Sequence, residues 1–447
     1  MRRSFSNLSV IIVLSVLLAG CSIFGAERER RRAEEAEDKA GRIALALGDE
    51  TLEPDPDMAN VAVILPVPRE MTDWPQAGAT ASKVVGHVDA AKNFEIAWRV
   101  KASDGSNRRS ALTAPPVANS DTIFVFDNEQ TVRAFSVENG RRKWSVDLDS
   151  GSRRDRRGLG GGIALSSDVL IASSGFGFVT ALDIETGEEL WKRPLGAPVI
   201  GAPTIKDDRV FVVTQNNEVF ALSFDTGDVE WSDQAIAESA RVLGAPSVAA
   251  IEDLVVAPFS SGEVIAYLGS NGRRLWVDAL TRTGRFTPMS AINDIASRPV
   301  LNAGLVYAAS QSGLLTAIDG RSGQRVWAQP LGSIEAPALV GEYLFVSGVD
   351  GLVACLVAQS GSVIWTRQLE PFKKKRRRRG RITYAGPIIA AERVIVASSE
   401  GELIALSAQT GEEVNRLDLK DPVFLEPIAV GDKVIVLTDD GRLIAIT

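Results

Sequence analysis

From Pro116 to Thr447 the chain repeats one short grammar of apolar and polar positions, and the stretch from Gly201 to Trp231 shows it clearly. "APTI" is a short apolar segment and "RVFVVT" alternates with a period of two. Asn216 lies in a tight turn, and "EVFALSF" alternates again before "DTG" and a last segment carrying Trp231. Alternation with that period marks strands with one buried face, and no helical period competes with it. Elsewhere the turn between the second and third strands reads "SG" at Gly262 and Gly313, "DG" at Gly351 and Gly441, and "EG" at Gly401. There glycine supplies the positive φ that a tight hairpin demands. We label the four strands of each repeat A, B, C and D.

The D strand opens on a glycine with a tryptophan four residues later: Gly140 and Trp144, Gly187 and Trp191, Gly227 and Trp231, Gly272 and Trp276, Gly323 and Trp327, Gly361 and Trp365. A seventh copy keeps Gly411 but puts Asn415 in the tryptophan position. Successive tryptophans lie 47, 40, 45, 51 and 38 residues apart, the period of a propeller blade rather than of a helical or leucine-rich repeat. A–B–C sets begin near Pro116, Ile163, Ala202, Ala245, Pro299, Ala336, Pro387 and Pro427, which makes eight, and only seven are followed by a D strand. The missing one is "FEIAWRV" around Trp98, which has no A–B–C set before it. The expected fold is therefore all-β, an eight-bladed β-propeller of four-stranded antiparallel blades. Its last blade is closed by the N-terminal strand near Trp98, which removes an exposed sheet edge.

The N-terminus is of another kind. Arg2 and Arg3 precede an apolar run from Leu8 to Ala19, the length of a signal-peptide core and short for a bilayer span. The run ends in "LAGC", which resembles a bacterial lipobox and implies cleavage before Cys21 and lipid attachment at Cys21. Ser22 after the cysteine implies, by the same resemblance, sorting to the outer membrane. The expected domains are residues 1–20 as signal peptide, 21–72 as a charged and proline-rich tether, and 73–447 as the propeller. No later segment is long and apolar enough to be a transmembrane helix.

Composition narrows the chemistry. With 49 basic and 57 acidic residues the formal charge is -8, which argues against a nucleic-acid footprint over the whole domain. His87 is the sole histidine, so a histidine triad, a His-ligated zinc site and an HExxH site all lack material. No catalytic residue, metal or cofactor is expected. "GLGGGIA" from Gly158 leads into a strand rather than a helix, so it lacks the helix dipole of a phosphate loop. With Cys21 acylated, Cys355 has no disulfide partner and reads as a small buried hydrophobe. Two basic runs, Arg153 to Arg157 and Lys373 to Arg379, fall in D-to-A connections. They read as solvated loops or as contacts for anionic lipid head groups or an acidic protein surface.

The "TGxxxW" repeats resemble the pyrroloquinoline-quinone-type propeller. Together with the lipobox, "DWPQAG" from Asp73 and eight blades, the chain resembles the lipoprotein B subunit of the outer-membrane β-barrel assembly machinery, the BamB family. That resemblance implies a non-enzymatic scaffold, lipid-anchored at the periplasmic face of the outer membrane. One of its propeller rims docks onto the barrel-inserting protein, beside other lipoproteins of the machinery. Nascent barrel strands remain open as further partners. The family docks through a leucine-leucine-arginine cluster before the fourth blade and two aspartates before the fifth. Here Arg241 is kept, with Glu238 and Ala240 at the leucine positions, and Asp294 is kept, followed by Ala296. A cell-envelope ligand-binding or scaffold propeller outside barrel assembly is the alternative. A quinone-dependent dehydrogenase is a further one, although that family's adjacent cysteine pair is absent.

Overall fold

The structure is a computed structural model that describes residues 52–107, 110–150, 158–236, 247–280, 295 and 297–447. All of them lie in one compact unit, Thr51–Thr447. Eight four-stranded antiparallel sheets follow one another as A–B–C–D meanders. The A strands are Val117–Ala118, Gly161–Ser166, Thr204–Lys206, Ala249–Ile251, Val300–Asn302, Ala338–Val340, Tyr384–Ala390 and Ile428–Val430, in blades 1 to 8. A strands of neighbouring blades touch from blade 1 through blade 5 and again between blades 6 and 7, so they converge on the axis of the ring. B and C strands such as Thr122–Phe126 and Phe178–Asp183 are buried almost throughout, between the blades on either side. Their apolar runs are nearly continuous for that reason, as in any strand covered on both faces.

Closure occurs as the orphan strand required. Ile96–Lys101 pairs antiparallel with Arg442–Ile446, from Ile96 opposite Ile446 to Lys101 opposite Arg442, and supplies the D strand of blade 8. Glu95 and Thr447 exchange backbone hydrogen bonds of 3.1 and 2.9 Å beyond the end of that ladder.

The tryptophans clasp each blade to the next. The indole Nε1–H of Trp191, in blade 2, donates to the Phe224 carbonyl of blade 3 at 3.0 Å, and Trp231 repeats this on Gly269 of blade 4 at 2.8 Å. Trp276, Trp327 and Trp365 continue the series on Gly320, Ala358 and Ala408. Trp98 of blade 8 reaches Val137 of blade 1, and Trp144 reaches Ile184 of blade 2. The step from blade 7 to blade 8 is the exception. Blade 8 has no C-to-D turn, because its D strand Ile96–Lys101 precedes its A, B and C strands in sequence, and the turn that meets the indole in the other blades is therefore missing. Asn415 instead accepts from Arg393 at 3.3 Å, and the Arg393 guanidinium lies 5.2 Å from the centre of the Phe94 ring.

Every D strand also slips register by one residue just before the tryptophan position, at Trp98, Trp144, Trp191, Trp231, Trp276, Trp327, Trp365 and Asn415. Such a bulge twists the outer strand and interrupts the row of backbone groups that would otherwise template pairing with another chain.

Candidate docking face and axial channel

In a four-stranded meander the A–B and C–D turns emerge on one face, and the B–C turns and D-to-A connections on the other. The chain covers the first face with its own N-terminal segment. Trp74 and Ala118 exchange backbone hydrogen bonds in blade 1, and Leu165 of blade 2 donates to Pro75. The Gln76 amide brackets Ile205 of blade 3, accepting from its N–H at 3.0 Å and donating to its carbonyl at 3.3 Å. Ala250 of blade 4 donates to Ala81, and Leu301 of blade 5 to Ser82. Val88 then donates to Ile389 of blade 7 and Ala91 to Asp432 of blade 8. Blade 6 is met further upstream, where Val63 is buried against Val340 and the Tyr343 hydroxyl donates to Ala62 at 3.3 Å. Residues 62–91 thus serve the inner strand ends of all eight blades, which would otherwise leave polar backbone unpaired around the axis.

His87 belongs to this strap. Its Nδ1 lies 2.7 Å from the Pro66 carbonyl and must donate to it, while Nε2 accepts from the Glu392 N–H at 2.9 Å. Both nitrogens of a 4 % exposed ring are engaged in holding backbone, which is a structural role. Beside it lies a cavity of about 280 Å³, lined by Pro66, Arg69, His87, Asn302 and Leu339 among others.

Charged side chains cross the centre of the ring. Arg298, of blade 5, forms an ion pair with Glu426, of blade 8, and both are nearly nine-tenths buried. Blades 5 and 8 are not neighbours, so this pair spans the channel. Glu335, from blade 6, accepts from the Gly386 N–H of blade 7 at 3.4 Å. Burial, and next the charge of Glu426, push the Glu335 carboxyl up to about 8. Lys83, reaching in from the strap, donates to Thr204 Oγ1 at 3.0 Å. Burial first, and then the positive charge of Arg298, hold its ammonium well below the usual lysine range. Among the described residues, Arg298 Nε and Glu426 Oε1 have no hydrogen-bond partner. These residues carry a weak sequence signal: Arg298 and Glu426 each stand immediately before the proline that precedes an A strand, where Ala202 and Ala336 stand in blades 3 and 6.

Cys21, Arg241 and Asp294, together with the basic run Arg153 to Arg157, lie outside the described residues. The connections that carry Arg241 and Asp294 join blade 3 to blade 4 and blade 4 to blade 5, both D-to-A. The other basic run is described, and it forms a two-stranded hairpin of Phe372–Lys374 and Arg379–Arg381 between blades 6 and 7. Cys355 is fully buried in the C strand of blade 6, and burial pushes its thiol pKa up. Among the described residues no group of three or more His, Cys, Asp or Glu side chains could hold a metal ion, and no helix is long and apolar enough to cross a membrane.

Comparison with known proteins places this geometry. The outer membrane protein assembly factor BamB of Yersinia pestis is 24% identical over 256 residues, 56% of this chain; the match spans 65% of that protein, under two thirds of its length. The crystal structure of BamB from Moraxella catarrhalis superposes with a TM-score of 0.66 at 17% identity, covering 78% of this chain and 98% of that one. Quinohemoprotein alcohol dehydrogenase from Comamonas testosteroni shares the fold, with a TM-score of 0.62 at 13% identity over 85% of this chain and 81% of that one. The family model described as outer membrane protein assembly factor BamB matches residues 128–367 and 349–447, well over half of the sequence, and the chain belongs to that family.

Proposed function

We propose that this chain is a non-enzymatic scaffold of outer-membrane β-barrel assembly. It is anchored through acylated Cys21 at the periplasmic face of the outer membrane, and it docks onto the barrel-inserting protein through the face bearing the D-to-A connections. Family membership supports the assembly role. The observation that carries the choice of face is the strap: residues 62–91 occupy the A–B face over all eight blades, so a partner meets the opposite one. There the connections carrying Arg241 and Asp294 leave consecutive blades, 3 and 4.

Reversing both docking charges tests the site. The variant Arg241→Glu with Asp294→Arg is expected to keep its stability within about 0.5 kcal/mol, as exposed loop changes do. Capture of the barrel-inserting protein should weaken by about 2 kcal/mol or more if the charges sit at the interface centre. Undiminished capture by the folded variant would move the docking site elsewhere.

A further inference from the structure

The basic hairpin between blades 6 and 7 is not used by the docking reading, and its construction is specific. Phe372–Lys374 and Arg379–Arg381 pair only with each other, apart from the blade sheets, and Lys373 to Arg381 are all exposed. Its base is held in several ways. Lys373 pairs with Glu400 at 2.6 Å, Lys375 pairs with Glu370, Arg381 donates to the Val349 carbonyl at 2.9 Å, and the Tyr384 hydroxyl donates to the Glu370 carbonyl at 3.0 Å. The Arg378 and Arg381 guanidinia sit 5.5 and 5.6 Å from the centre of the Phe372 ring, stiffening the strand pair. Lys374, Arg376, Arg377, Arg378 and Arg379 have no described carboxylate partner, so the hairpin presents five uncompensated cations on a chain of net charge -8. Holding like charges side by side on an ordered hairpin is unfavourable unless a polyanion offsets the repulsion.

We infer that this hairpin is an electrostatic membrane contact that binds the phosphates of anionic phospholipid head groups. Four of the five free cations are arginines, whose planar forks match phosphate oxygens in pairs. The turn, Lys375–Arg377, carries no apolar side chain to insert into lipid or to key into a protein pocket. Contiguous charges without spacing suit a surface whose anions move laterally, whereas fixed carboxylates on a folded protein would demand a register. The contact would set the orientation of the ring against the membrane, independently of the partner bound through Arg241 and Asp294.

Trypsin reads this contact directly, since every free residue of the hairpin is a cleavage site, and it does so in the full chain whether or not an acyl anchor is present. The protein is mixed with vesicles of phosphatidylcholine alone or with roughly 30 mol% phosphatidylglycerol, and cleavage between Lys373 and Arg381 is followed by mass spectrometry against cleavage after exposed Lys92. Anionic vesicles are expected to slow hairpin cleavage about fivefold relative to Lys92, and about 0.5 M salt should abolish the protection. In Arg376→Gln/Arg377→Gln/Arg379→Gln the protection at Lys374 should fall below about twofold. Equal hairpin cleavage with the two vesicles would overturn the inference. So would protection by soluble polyglutamate with none by anionic vesicles, which would assign the hairpin to an acidic protein.

Discussion

Gly227 of blade 3 is a glycine because of Trp191 of blade 2: a Cβ built on Gly227 would lie 2.5 Å from Cε3 of that indole, and its φ is +71°. Gly272 stands in the same relation to Trp231, and Gly323 to Trp276, at 2.6 and 2.7 Å. The glycine-tryptophan repeat is therefore a contact between consecutive blades. Trp276→Ala should cost about 3 to 5 kcal/mol in urea denaturation, as removal of a large buried side chain does. Gly227→Ala should also destabilise, through both the clash and the positive φ. The double variant Gly227→Ala/Trp191→Ala should be more stable than the sum of its parts by about 1 kcal/mol, since removing the ring makes room for the methyl group. Strict additivity would sink the contact.

Asn415→Trp would restore the repeat in sequence, yet it should not stabilise the protein. Blade 8 offers no C-to-D turn to accept the indole N–H, and Arg393 would lose its 3.3 Å contact with Asn415. A rise in melting temperature on this substitution would show that the clasp does not need the turn.

Closure predicts graded damage from N-terminal deletion. Removing residues up to 72 takes away Leu52 and Val63, only 6 % and 2 % exposed, and should lower the melting temperature measurably. Deletion through Val100 removes in addition the rest of the strap and nearly all of the D strand of blade 8, exposing the edge of Arg442–Ile446. It should abolish cooperative folding. Equal melting temperatures for the two truncations would contradict the closure.

Glu335 makes stability depend on pH. Its folded pKa, about 8, lies above the ordinary glutamate value of 4.5, so the folded state holds the proton more tightly than the unfolded chain. Its contribution is complete below the unfolded value and is lost as pH rises through the folded one. Between pH 5 and 8 wild-type stability should therefore drift down, at most on the order of 1 kcal/mol per pH unit, relative to Glu335→Gln. Parallel pH profiles for the two proteins would show that Glu335 ionises normally.

The blades, their number and the closing strand were legible because each rests on a short-range pattern: alternation within strands, glycine at turns, and a tryptophan at fixed distance from its own turn. The strap was not. Residues 62–91 bond to the inner strand ends of one blade after another, so they follow the spacing of A strands in space and leave no period in sequence. Positive φ values at Ala79, Lys83, Ala91 and Phe94, none of them glycine, show a path set by tertiary contacts rather than local preference. The axial charges were hidden likewise. Arg298 and Glu426 are 128 residues apart, and only ring closure brings them together. The proposed docking residues Arg241 and Asp294 rest on family resemblance, since long connections carry no periodic constraint.

The central claim is tested most directly by purifying the native protein from detergent-extracted outer membranes under mild salt and identifying what remains bound. The account predicts a near-stoichiometric outer-membrane β-barrel protein with periplasmic domains, retained by wild type and depleted in the Arg241→Glu, Asp294→Arg variant. Recovery of the folded wild-type protein with no barrel-inserting protein, from membranes in which that protein is present and intact, would contradict it.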